Sequence, residues 1–278
     1  NTATATYDGE KHYIEGYTVD SISNPLYVQA NIRFTGNAKA EGTDAGEYPM
    51  GLEAADFANK NTNFAKVTFI VEDGKLVINK RQVTLTSTSA SKEYDGTPLT
   101  KPDVTVGDDG FVDGEVSDIH ATGSVTNVSE GDVTNTITFT KGDKFKDKNY
   151  AITKHEGKLS ITANDTEVTV AIKGKTATAT YDGNSHSVEG YTVDSISNQL
   201  YKKEDIRFTG EAKAEGVAAG EYPMNLTSAQ FSNANTNFAN VKFTVTDGYL
   251  TINPKSINPE DEKTGIKVTK PDDTMYNG

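Results

Sequence analysis

The stretch TATATYDG at 2–9 recurs letter for letter at 176–183, and GYTVDSISN at 16–24 recurs at 190–198. Residues 2–79 and 176–253 align without a gap at a constant offset of 174, and roughly two thirds of the positions are identical. A fixed period of this kind is the signature of an array of like units. A diverged third copy lies between the two close ones. Tyr94-Asp95-Gly96 sits 87 residues after Tyr7-Asp8-Gly9 and 87 before Tyr181-Asp182-Gly183. Gly-x-Leu-x-Ile appears at Gly74-Leu76-Ile78, Gly157-Leu159-Ile161 and Gly248-Leu250-Ile252. Asn-aromatic-Ala precedes it each time, at Asn63-Phe64-Ala65, Asn149-Tyr150-Ala151 and Asn237-Phe238-Ala239. Three landmarks in one order, three times over, divide the chain into repeats at 1–80, 81–163 and 164–254, followed by a linker and the first strand of a fourth unit at 255–278. The first repeat lacks the strand that opens the third.

Within each repeat the local pattern is strand and turn. Val168, Val170 and Ile172 alternate with Thr169 and Ala171, the period of a half-buried strand. Val241, Phe243 and Val245 alternate up to Asp247-Gly248, and Leu250 and Ile252 alternate beyond it. That arrangement predicts a hairpin with Asp-Gly at its turn, repeated at 67–78. Short helical turns are expected at 54–59 and 228–233, and no long segment has helical periodicity. About seven short strands per repeat predict an all-β chain of tandem immunoglobulin-like antiparallel β-sandwich modules. The alternative is a β-grasp-like module with a helix near 200–205. Short links without Gly or Ser at 79–82 and 162–165 predict an extended, semi-rigid rod.

Composition narrows the function. The chain carries 27 Lys and Arg against 40 Asp and Glu, a net charge of −13, and has no cysteine. The charge is spread evenly, at −4 in each repeat and −1 in the tail, which argues for solubility and against nucleic acid as a partner. Disulfide and thiolate chemistry are excluded. No apolar run reaches transmembrane length, so no membrane insertion is expected of these residues.

The order Tyr-Asp-Gly, Gly-x-Tyr (Gly46-Glu47-Tyr48 and Gly220-Glu221-Tyr222), Asn-aromatic and Gly-x-Leu-x-Ile resembles the MBG or YDG-type repeats of large bacterial surface proteins. The resemblance covers nearly the whole chain. It implies a secreted, adhesin-like protein of the bacterial cell surface, built from β-rich modules, and it supplies neither ligand nor catalytic set. The middle copy departs from the pattern: Gly131-Asp132-Val133 stands where Gly-x-Tyr is expected.

The remaining residues point to structure before chemistry. Tyr7, Tyr94 and Tyr181 read as rings buried beside a turn with the hydroxyl tied to backbone. His12, His120, His155 and His186 read as surface residues without zinc-site spacing. The acidic run 108–115 reads as a solvated loop rather than a calcium site. An isopeptide bond from Lys173 or Lys175 to Asn253 is considered, but the middle copy has Thr162 at that place and the first copy lacks the strand. No catalytic motif, cofactor site or metal site is expected, and the chain is not expected to be an enzyme. Two function classes follow. The first is a stalk that binds nothing. In the second, the modules themselves bind a host glycan, mucin or immunoglobulin through the polar segments shared by repeats one and three: Asp20, Ser21, Asn24, Asn61 and Asn63, and Asp194, Ser195, Asn198, Asn235 and Asn237. A further expectation is head-to-tail strand donation, in which Ile266 to Thr269 of one molecule completes the first repeat of a neighbour.

Overall fold

The computed structural model describes residues 1–257 and Val268. All regular structure among them is β, apart from three-residue 3-10 turns. The chain separates into two compact units. Among the described residues, one comprises Asn1–Lys92, Pro98–Val125 and Glu130–Ser160; the other comprises Glu93–Thr97, Thr126–Ser129 and the described chain from Ile161 to Ile257.

The third repeat, in the second unit, shows the complete pattern. Its opening strand Val168–Gly174 is the centre of a three-stranded sheet, paired in parallel with Val241–Thr246 and antiparallel with Tyr191–Ile196. Val168, Val170 and Ile172 are buried, as their alternation predicts. The closing strand Tyr249–Asn253 is the centre of a second sheet, parallel to Ala177–Thr180 and antiparallel to Gly220–Pro223. Two ribbons complete the repeat: His186–Glu189 with Lys213–Gly216, and Ile206–Phe208 with Phe231–Asn233. In the middle repeat, Arg81–Ser87 lies between Val104–Asp108 and Tyr150–His155 in the same two senses. In the first repeat the closing strand Lys75–Asn79 keeps both its partners, Ala3–Thr6 and Gly46–Pro49. No strand is present at 16–31 or 60–74.

The structure corrects the sequence expectations in three places. The strands pair in both senses, so the sheets are mixed rather than antiparallel. The expected hairpin at Asp247-Gly248 is a corner, because Val241–Thr246 and Tyr249–Asn253 belong to different sheets, and its counterpart at 67–78 does not form, because 67–72 is not a strand. Gly248 is required there for close approach: a Cβ would lie 2.4 Å from the Lys175 carbonyl oxygen and 2.7 Å from the Gly174 carbonyl carbon. The Asp247 carboxylate fixes the corner by accepting the N–H groups of Asn225, Leu226 and Gly248 at 2.8–3.0 Å. Finally, the helix considered near 200–205 is only the 3-10 turn Lys203–Asp205. The turns expected at 54–59 and 228–233 are present as Ala54–Asp56 and Ser228–Gln230, each running directly into a strand.

The register also places the middle copy's missing landmark. Val133 opposes Leu159 as Tyr48 opposes Leu76 and Tyr222 opposes Leu250. Gly131-Asp132-Val133 therefore replaces Gly-x-Tyr position for position.

Candidate functional site: the seam between repeats

The signature residues of one repeat meet those of the next. Within the first unit, Tyr7 of the Tyr-Asp-Gly turn packs edge-on against Tyr150 of Asn-aromatic-Ala, with centroids 5.5 Å apart. Within the second unit, Tyr94 packs in the same way on Phe238, at 5.4 Å. The turn that presents each tyrosine is an Asx turn, in which the aspartate side chain accepts the N–H two residues on. Asp8 holds Glu10 at 2.9 Å, Asp95 holds Thr97 at 2.8 Å and Asp182 holds Asn184 at 2.9 Å. The following glycines have φ of 84°, 79° and 87°, a conformation that costs glycine little.

The asparagine beside each aromatic closes the seam. Asn149 Oδ1 accepts the Ala45 N–H at 2.8 Å, and its Nδ2 donates to Asp44 Oδ1 at 3.0 Å. Asn237 Oδ1 accepts the Val128 N–H at 2.8 Å, and its Nδ2 donates to Asn127 Oδ1 at 3.0 Å. Asn149 is fully buried and Asn237 nearly so. The residue leading into each following repeat contributes as well. Arg81 Nη1 donates to the Tyr7 carbonyl at 3.4 Å, and Asn164 Nδ2 donates to the Tyr94 carbonyl at 3.2 Å. The same seam is therefore built twice from a nearly interchangeable set of parts.

The first seam adds charge. Glu115 is buried and accepts hydrogen bonds from the hydroxyls of Tyr7 at 2.5 Å and Tyr150 at 2.7 Å. Burial, reinforced by the Glu115 carboxylate, raises the Tyr7 pKa to about 12 and raises that of Tyr150 also. Asp44 pairs with Lys146 and Lys148, both at 2.9 Å; Lys146, then Asn149 and Lys148, hold its carboxyl well below the usual range.

Two expectations change here. The tyrosine of Tyr-Asp-Gly is not a corner residue tied to its own backbone. That role belongs to Tyr48 and Tyr222, whose hydroxyls donate to the carbonyls of Asp44 and Ala218 at 2.7 and 2.9 Å. The acidic run 108–115 is not a solvated loop throughout, because Glu115 lies in the seam and Asp108 accepts from the Thr84 hydroxyl. Sequence reading missed the seam because its halves lie far apart in the chain: Tyr7 and Tyr150 are 143 residues apart, and Tyr94 and Phe238 are 144 apart.

The polar segments shared by repeats one and three serve mostly their own turns. Asn24 and Asn198 accept the N–H of Leu26 and Leu200, and Asn61 and Asn235 accept that of Asn63 and Asn237. Asp20 and Ser21, like Asp194 and Ser195, are exposed. Asn237 is a seam residue, whereas its counterpart Asn63 is exposed. Each of His12 and His186 pairs through Nε2 with the aspartate four residues before it, Asp8 and Asp182, at 2.9 Å, an arrangement the sequence reading overlooked. The Asp182 pKa falls to about 2, chiefly through the Asn184 N–H and also through His186. Lys173, Lys175 and Asn253 are all exposed, so they are not brought together in a core as an isopeptide bond requires. Among the described residues no cluster of three His, Asp or Glu could hold a metal ion, and no helix is long and apolar enough to cross a membrane. One cleft of about 530 Å3 opens on the third repeat, lined in part by Glu189, Tyr191, Phe208 and Lys213. The segment from Ile266 to Thr269, apart from Val268, lies outside the described residues.

No protein-family model, no curated protein and no solved structure matches this chain.

Proposed function

We propose that this chain is a non-enzymatic stalk segment of a bacterial cell-surface, adhesin-like protein, its repeats immunoglobulin-like sandwiches of the MBG type. One feature supports the reading above others: the strands near the N-terminal end of each repeat run parallel to those near its C-terminal end. Ala3–Thr6 pairs in parallel with Lys75–Asn79, and Arg81–Ser87 with Tyr150–His155. Val168–Gly174 pairs likewise with Val241–Thr246, and Ala177–Thr180 with Tyr249–Asn253. Tension applied to the ends of a parallel pair loads all its evenly spaced ladder bonds together, in shear. An antiparallel pair pulled from one end opens one bond at a time. A stalk that anchors a cell under flow needs the first arrangement.

Single-molecule pulling tests this. Because the chain has no cysteine, handles attach uniquely at introduced cysteines. Pulling end to end should rupture each repeat at a force several-fold above that for handles at Glu221→Cys and Thr251→Cys, which face each other across an antiparallel pair. Equal forces in the two directions would remove the argument for a stalk.

The second reading, that the repeats themselves bind a host glycan, mucin or immunoglobulin, has the cleft at Glu189 and Lys213 in its favour. It predicts saturable binding on a glycan and host-protein array, abolished by Lys213→Ala; the stalk reading predicts none.

A further inference from the structure

The two seams share a plan but differ in charge where the asparagine reaches across. Asn149 accepts the N–H of Ala45 and donates through Nδ2 to Asp44 at 3.0 Å; Asn237 accepts the N–H of Val128 and donates to Asn127 at 3.0 Å. Asp44 and Asn127 therefore hold one position in two seams. The facing loops correspond as well, because the Tyr150 N–H is taken by the Asp147 carbonyl and the Phe238 N–H by the Asn235 carbonyl. Lys146 and Lys148 thus match Ala234 and Thr236, which are exposed and uncharged. In the first seam the Asp44 carboxylate, its side chain 19% exposed, lies 2.9 Å from both lysine ammonium groups. In the second an amide meets an amide. Exchanging the two residues penalises both seams. An Asn at 44 leaves two lysines without their shared counter-charge. An Asp at 127, a half-buried position, faces two uncharged counterparts of those lysines, and a desolvated carboxylate needs a cation more than an amide does.

We propose that this difference is a charge key that fixes the order of the repeats. The Asp44 end of repeat one selects a partner whose loop reads Lys-x-Lys-Asn-aromatic, as 146–150 does. The Asn127 end of the middle repeat selects a partner whose loop is uncharged at those two places, as 234–238 is. Repeat three is thereby refused by the first end and taken by the second. The need for a key follows from the sequence: repeats one and three are roughly two thirds identical, and like repeats in one chain are prone to dock wrongly while they fold. Selection of this kind lies in the mismatch as much as in the match. It applies whether the array is a stalk or binds a ligand.

The test transposes the key in the full 278-residue chain. A half-transposed chain carries Asp44→Asn and Asn127→Asp. A fully transposed chain adds Lys146→Ala, Lys148→Thr, Ala234→Lys and Thr236→Lys, four exposed positions where the new side chains need no repacking. A third chain carries those four changes alone. The half-transposed chain and the third chain should both melt below the parent, and full transposition should recover most of the loss. The gap between half and full transposition should close as salt is raised to about 1 M, where the screening length falls to about 3 Å. A half-transposed chain that does not fold while the fully transposed one does is the same result in stronger form. The proposal is overturned if the half-transposed chain melts with the parent, if full transposition recovers nothing, or if the gap ignores salt. It is equally overturned if the third chain matches the fully transposed one, since the gain would then lie in the loops and not in their matching.

Discussion

Asn149 and Asn63 occupy the same place in their repeats and have opposite surroundings. Asn149 is fully buried and satisfies both the Ala45 N–H and Asp44; Asn63 is exposed. Asn149→Ala leaves a buried donor without its acceptor, and denaturant unfolding should show a loss of about 1–3 kcal/mol. Asn63→Ala should stay within about 0.5 kcal/mol. The tyrosines around Glu115 make a second prediction. Burial raises the Tyr7 pKa to about 12, above the ordinary value of 10.0. A raised phenol pKa stabilises the fold fully below the unfolded value, and that stability declines as pH climbs from 10 towards 12, because the unfolded chain ionises first. Alkaline unfolding should therefore set in across that window, and Tyr7→Phe should reduce the steepness of the fall. Asp44 works in the opposite direction: its lowered pKa stabilises the fold above the ordinary carboxyl value and is lost as the medium becomes more acid. None of this was visible in the sequence. Glu115 looked like one more acid in an acidic run, since burial is a property of what a distant residue does with it.

At the scale of the element, alternation reveals which side chains face inward but not which strand lies alongside. Val168, Val170 and Ile172 were legible as a buried face, and they are one. The parallel partner, 73 residues further along, was not legible, and neither was the change of sheet at Gly248. Asp-Gly is a strong hairpin signal only when the glycine turns. At 247–248 the glycine has no positive φ and is needed because backbone passes where a Cβ would stand. The two uses separate on mutation. Gly248→Ala must displace main chain and should cost about 1–3 kcal/mol or more, as overpacking does. At Gly183, φ is 87° and nothing lies within 4 Å of the place a Cβ would take, so Gly183→Ala meets only the left-handed conformation, about 1–2 kcal/mol. Thermal melts of the two variants, compared with Gly157→Ala, whose Cβ would lie 2.5 Å from Thr88 backbone, should rank Gly183→Ala as the mildest.

At the scale of the whole molecule, the repeats are legible in the sequence while the reason for their signatures is not. Tyr-Asp-Gly and Asn-aromatic-Ala look like internal landmarks of one fold, because they recur inside every copy. The structure instead makes them two halves of a seam that only consecutive copies complete. Tyr7, seated on Tyr150, is 3% exposed; Tyr94, on Phe238, is half-buried; Tyr181 is 42% exposed. One residue type at one repeat position therefore carries three different burdens. Tyr7→Ala removes a ring packed against Tyr150 together with a hydrogen bond to a buried carboxylate, and should cost about 3–5 kcal/mol, in the range for buried aromatics. Tyr94→Ala should cost less, and Tyr181→Ala should fall near the surface value of about 0.5 kcal/mol. Were the tyrosine an ordinary core residue of its own repeat, the three losses would be alike. Denaturant unfolding of the three variants decides between these arrangements, and a Tyr181→Ala loss as large as that of Tyr7→Ala would dissolve the seam as an explanation of the motif.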